Sequence, residues 1–245
     1  MLRTLLLLLV CSLADAADIR VSAAASLSNA LKEIGANYAA KSGDKPVFNF
    51  GGSNILARQI KEGAPVDLFF SADEATMDAL TQKGRIVAET RRSPLSNSLV
   101  IIVAAAAGAE IKTPQDLAAA AVKHVALADP KAVPAGVYAR QYLQSLGLWG
   151  AIEPKVVPTE NVRAALAAVE SGNVAAGIVY RTDAGSSKKV KIAFAVPAKD
   201  GPAIRYPMAL IKDAPQPEAA RKFFDHLGSA EAARVFEKFG FIVLP

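Results

Sequence analysis

Apolar positions along this chain alternate between two arrangements, short β-branched runs and longer stretches with helical spacing, almost from end to end. The first run, Ile19-Arg20-Val21-Ser22-Ala23-Ala24-Ala25-Ser26, passes into the helical pattern Leu27-Ser28-Asn29-Ala30-Leu31. The second, Val47-Phe48-Asn49-Phe50-Gly51-Gly52-Ser53, passes into Asn54-Ile55-Leu56-Ala57-Arg58. Val66-Asp67-Leu68-Phe69-Phe70 predicts a third buried strand, and Ser71-Ala72-Asp73-Glu74 opens a helix carrying Met77 and Leu80. Further strands are expected over 99–103, 124–128, 155–158, 175–180, 192–196 and 206–211. Helices are expected from Thr113-Pro114-Gln115-Asp116, where proline suits a first turn, and over 134–146, 160–171, 217–227 and 230–239.

This alternation predicts an α/β chain with mostly parallel sheets. The strands are too many for one sheet with right-handed crossovers, so two sheets are expected. Segments 93–103 and 197–211 have the extended character needed to pass between them. The expected division is a first lobe of 17–98 and 206–245 and a second of 99–205, hinged by two crossings and able to close on a ligand.

The amino end reads as an export signal over 1–16. Arg3 supplies the positive charge, an apolar run follows, and Ala14-Asp15-Ala16 predicts cleavage before Ala17. The run is too short for a permanent membrane helix. Cys11, the only cysteine, lies in that signal. Val10 before it is bulkier than lipoprotein processing normally accepts. The processed chain is therefore expected to lack disulfides, thiolate metal sites and cysteine nucleophiles. A net charge of +5 favours anionic ligands by steering. Its basic residues are scattered rather than set in an aromatic-interleaved stripe, which argues against nucleic acid.

The chemistry centres on the strand–serine–helix pattern, used twice. A helix start carries unpaired N–H groups and partial positive charge, so it can seat an anion. Two such seats at strand carboxyl ends would face one crevice. Taken singly, Ser26 and Ser53 also read as helix caps. Ala135, between Pro134 and Gly136, reads as a proline-led helix start, Val162 as a core valine and Tyr180 as a packing tyrosine. A hydrolase needs an activated nucleophile. The two histidines, His124 and His226, lie beside neither serine in sequence, and there is no Gly-x-Ser-x-Gly elbow. No clustered metal-ligand motif exists, and Gly51-Gly52 lacks the third glycine of a dinucleotide loop. Asp67, Asp73, Asp129 and Asp183 read as turn and cap residues.

In order along the chain, several segments resemble the exported two-lobed solute-binding proteins of ABC transporters, and within them the periplasmic molybdate-binding group. They include Ala23-Ala24-Ala25-Ser26-Leu27, Gly63-Ala64-Pro65-Val66-Asp67-Leu68-Phe69, Asn97-Ser98-Leu99-Val100, Val133-Pro134-Ala135-Gly136-Val137-Tyr138, Glu160-Asn161-Val162-Arg163, Gly177-Ile178-Val179-Tyr180 and Phe236-Glu237-Lys238-Phe239-Gly240-Phe241. The resemblance implies a type II periplasmic-binding-protein fold with a ligand cleft between the lobes. It implies a non-enzymatic receptor without cofactor that captures molybdate or tungstate as the oxyanion and delivers it to an ABC permease. Ser26, Ser53, Ala135, Val162 and Tyr180 are the implied ligand contacts. Sulfate, thiosulfate or phosphate is the alternative ligand, and an exported hydrolase the more distant alternative. A periplasmic monomer is expected. Asn54 and the segment Arg181-Thr182-Asp183 depart from the group's usual residues at positions that carry no implied donor.

Overall fold

The computed structural model describes residues 16–106 and 110–245. The export signal expected over 1–16 lies outside these residues but for Ala16. From the amino end, β1 (Asp18–Ala24), α1 (Ser28–Ser42), β2 (Lys45–Gly51), α2 (Ser53–Lys61), β3 (Leu68–Phe70) and α3 (Glu74–Gln82) alternate, and β4 (Arg92–Ser96) follows. The middle of the chain supplies β5 (Leu99–Ala104), β6 (Val125–Ala128), α4 (Pro134–Ser145), α5 (Trp149–Ile152), β7 (Val156–Thr159), α6 (Val162–Glu170), β8 (Ala176–Tyr180), α7 (Arg181–Gly185) and β9 (Val190–Ala195). Then β10 (Tyr206–Leu210), α8 (Pro217–Leu227), α9 (Ala230–Lys238) and β11 (Ile242–Val243) complete it.

Two sheets form, with orders β11-β4-β10-β3-β1-β2 and β7-β6-β8-β5-β9. Each contains the same parallel unit. In one, β1 is flanked by β2 and β3, with α1 and α2 as connections. In the other, β6 is flanked by β7 and β8, with α4 and α6 as connections. The chain steps first to one side of the central strand and then to the other. That reversal leaves a crevice at the strand carboxyl ends.

The expectation of mostly parallel sheets is corrected: among the described residues four strand pairs are parallel and five antiparallel. The reason lies in how the chain changes sheets. Parallel strands all run towards the crevice, so a strand arriving from the other sheet starts there and runs away. Asn97 and Ser98 link β4 to β5, which is antiparallel to β8 and β9. Residues 196–205 link β9 to β10, which is antiparallel to β3 and β4.

Burial follows the sequence pattern. Ile19 and Val21 of β1 are buried with Leu31 and Ile34 of α1 in the core, and the first five residues of β5 and all of β6 and β8 are buried in the second sheet. The helix expected from Thr113 is only a 3₁₀ turn, Pro114–Ala118. Its capping box forms, but the carbonyls of Leu117, Ala118 and Ala119 accept from the Lys155 ammonium, which takes the place of further helical N–H donors.

One backbone approach decides where α4 can begin. A Cβ on Gly136 would stand 1.9 Å from the carbonyl oxygen of Ala128, the last residue of β6. No side chain can move to relieve a clash with backbone, so α4 seats against the strand end only with glycine there. We predict that Gly136→Ala lowers unfolding stability by about 3 kcal/mol in denaturant titration of the ligand-free protein. An unchanged midpoint would contradict this packing.

Candidate functional site

The carboxyl ends of the two parallel units face each other across a small cavity. Ser26 follows β1, Ser53 opens α2 after β2, and Ala72 follows β3. Opposite them, Ala135 lies in the first turn of α4, Val162 opens α6 and Tyr180 ends β8. The structure thus brings all five sequence-expected site residues into one cavity, three strand ends from each sheet. Every residue lining it is neutral, and alanine and glycine are prominent among them. The two sides meet closely: a Cβ on Gly52 would lie 2.8 Å from the carbonyl oxygen of Glu160.

The capping reading of the two serines does not hold. Ser26 lies inside a 3₁₀ turn, Ala25–Leu27, that has no side-chain cap. Its Oγ instead lies 3.1 Å from the Tyr206 hydroxyl. Ser53 is the first residue of α2, again without a side-chain cap, and its Oγ accepts from the Ala72 N–H at 3.0 Å. Both hydroxyls are thus held from behind and retain further hydrogen-bonding capacity towards the cavity.

The opposite wall supplies backbone donors. Pro134 has no N–H, so Ala135 carries the first N–H of α4, which lacks an intrahelical partner. At α6, the Asn161 side chain accepts from the N–H groups of Arg163 and Ala164, at 2.9 and 3.0 Å. That leaves the Val162 N–H as the first unsatisfied donor of the helix. Tyr180 is 1 % exposed, and its hydroxyl has no hydrogen-bond partner among the described residues. Burial pushes its phenol well above the ordinary range, with Tyr206 and Tyr138 reinforcing the shift, so the group keeps its proton and can donate. A buried, unpaired hydroxyl costs free energy unless something enters to accept from it.

These donors are matched to an anion small enough for the cavity. They are hydroxyls and helix-start N–H groups with no cationic side chain among the lining residues. Fixed dipoles and partial helix charges can hold an anion without ion pairing.

A model of the "Bacterial extracellular solute-binding protein" family matches residues 19–242. This chain belongs to that family. It is 39 % identical over 236 residues to the "Molybdate-binding protein ModA" of Escherichia coli strain K12, covering 95 % of this chain and 91 % of that relative. It is 35 % identical over 234 residues to the protein of the same name from Haemophilus influenzae, covering 94 % and 92 %. The solved periplasmic molybdate-binding protein of Azotobacter vinelandii superposes with a TM-score of 0.84 at 23 % identity, covering 93 % of this chain and all of that one, a likeness of fold. The family member described here therefore has the two-lobed type II architecture of solute receptors.

Sequence reasoning missed the residues behind the site. Asp73 and Asp129 do act on a cap and a turn, accepting from Thr76 N and from Lys131 N, whereas Asp67 is fully buried and accepts from Arg20 N and Gln216 N, both distant in sequence. Asp183 also departs from that expectation. It is fully buried in α7, and Arg163 Nε lies 2.6 Å from its Oδ1, an ion pair without hydrogen-bond alignment. The same Arg163 donates to the Ser26 carbonyl oxygen at 3.5 Å, across the gap between the sheets. Nothing local marked Arg163 as more than a surface charge at a helix start.

Burial pushes the Asp183 carboxyl up from 3.8 to about 6, and the Arg163 charge opposes this only in part. Between those values the folded protein holds a proton that the unfolded chain has released, so this group's contribution to stability falls as pH rises. Asp183→Asn removes that dependence. We predict that the stability of wild type relative to Asp183→Asn declines across this window by about 2–3 kcal/mol, read from urea unfolding at stepped pH. Parallel profiles would contradict it.

Proposed function

We infer that this protein captures molybdate, and tungstate with it, outside the cytoplasmic membrane and delivers it to an ABC permease. The reading rests first on the Tyr180 hydroxyl, a buried donor lacking an acceptor at a neutral cavity between two sheets. Ser26, Ser53 and Tyr180 donate hydroxyls to the oxyanion, and Ala135 and Val162 donate backbone N–H groups. Relatives named for molybdate binding, at 39 % and 35 % identity over nearly the whole chain, support the same ligand. Residues 17–98 and 206–245 form one lobe and 99–205 the other. The 1–16 signal directs export to the periplasm, where the protein works as a monomer.

The chemistry explains the choice of donors. Molybdate is a tetrahedral dianion without a proton at neutral pH, so every oxygen accepts. Hydrogen bonds to a charged group contribute roughly 1.5–3 kcal/mol each, and several together offset the cost of stripping water from the ion. Sulfate has the same charge and shape but is smaller, so a rigid cavity separates the two by how many donors each can reach. A carboxylate acceptor, which would favour a protonated oxyanion, is not among the lining residues.

Isothermal titration of ligand-stripped protein should give tight one-to-one binding of molybdate that excess sulfate does not displace. Ser26→Ala and Tyr180→Phe should each weaken it about 10- to 100-fold, the loss of one charge-assisted bond. Saturable binding of sulfate or phosphate without molybdate heat would overturn the ligand. No heat with any oxyanion would overturn the receptor reading.

A further inference from the structure

The contact between Ser26 Oγ and the Tyr206 hydroxyl has no intrinsic direction, since either oxygen can donate. Its neighbours settle the direction. Asn97 Nδ2 donates to the Tyr206 oxygen at 3.3 Å and to Thr182 Oγ1 at 2.9 Å. The amide is held this way round because its Oδ1 accepts from the Ser98 N–H at 2.9 Å. An amide nitrogen only donates. The Tyr206 oxygen accepts from Asn97, and Ser26 Oγ is the one other partner of its hydroxyl among the described residues, so its own proton goes to Ser26 Oγ. With a lone pair engaged from behind, Ser26 has its proton left for the cavity.

This chain of bonds is built into the two crossings. Asn97 belongs to the first, and Tyr206 is the residue at which the second enters β10. Both are buried, and burial holds the Tyr206 phenol far above its ordinary range, so it remains a donor. Ser53 is held in the same sense by the Ala72 N–H. Ser53 is oriented by backbone, whereas Ser26 is oriented by side chains that substitution can reverse.

We propose that Asn97 and Tyr206 are positioning residues that fix Ser26 as a donor to the ligand, and that this polarity excludes oxyanions carrying a proton. The inference rests on the oxyanion reading given above. A hydrogen oxyanion with its O–H directed at the Ser26 proton would set donor against donor, whereas every oxygen of molybdate can accept from it. Asn97→Asp keeps the shape and still accepts from the Ser98 N–H, but it replaces the donor facing Tyr206 by an acceptor. Tyr206 then donates to the new carboxylate and accepts from Ser26, whose lone pairs face the cavity. Tyr206→Phe removes the relay outright and leaves Ser26 free to turn either way.

The test compares molybdate with hydrogen arsenate in mildly alkaline buffer, where both are tetrahedral dianions and only arsenate carries a proton. Arsenate is measured by displacement of molybdate. Taking the ratio of the two dissociation constants cancels the repulsion that a new carboxylate exerts on any dianion, and comparing that ratio between variants cancels the difference in ligand size. In Asn97→Asp the preference for molybdate should fall at least about tenfold, and in Tyr206→Phe by a smaller factor in the same direction. If Asn97→Asp does not fold, Tyr206→Phe carries the test alone. Wild type that binds molybdate, with variants whose preference is unchanged, would overturn the relay while leaving the receptor reading intact. Wild type that binds no molybdate would overturn both.

Discussion

The structure depends on what happens to backbone N–H groups where a parallel strand gives way to a helix. Each helix start leaves donors that its own backbone cannot satisfy. One such site on an exposed surface is met by water. Here two sheets carry the same strand–helix unit, and they turn the ends of those units towards each other. The gap is narrow, and the unsatisfied donors converge on it. Small residues follow from this geometry: Gly52 allows the Glu160 carbonyl to approach, and Gly136 allows α4 to seat on the end of β6.

A neutral wall suits a receptor that must also release its ligand. A buried lysine or arginine would bring a charge that needs compensation whenever the site is empty. Hydroxyl and N–H dipoles cost less to leave waiting, and they distinguish an anion by the number and direction of its acceptors. The charged pair nearest the site, Arg163 and Asp183, is set behind the wall and not on it. Arg163 also reaches the Ser26 carbonyl from the opposite sheet. It thereby links the side chains that support one wall to the backbone of the other.

Much of this was legible in the chain. The repeated run into Ser26 and Ser53 located two of the strand ends. The Pro134-Ala135-Gly136 and Asn161-Val162 segments located two helix starts, because proline and asparagine leave local signals there. Strand direction was less legible. Whether β5 and β10 run with or against their neighbours depends on which sheet the preceding strand occupies, and nothing within either strand records that. Short elements were also hidden. Arg92–Ser96 is broken by Ser93 and Pro94, Ile242–Val243 is two residues long, and Arg181–Gly185 has no apolar period. The supporting contacts were the least legible. Ser26 meets Tyr206 across 180 positions and Asn97 meets Tyr206 across 109, so no local pattern announces either.

The central claim is that one oxyanion sits between the two sets of strand ends, held by donors from both. Anomalous scattering at the molybdenum edge from crystals grown with molybdate tests it most directly. A single strong peak is expected within hydrogen-bonding distance of Ser26, Ser53, Ala135, Val162 and Tyr180. A peak outside that cavity, or one reached by donors of only one sheet, would contradict it.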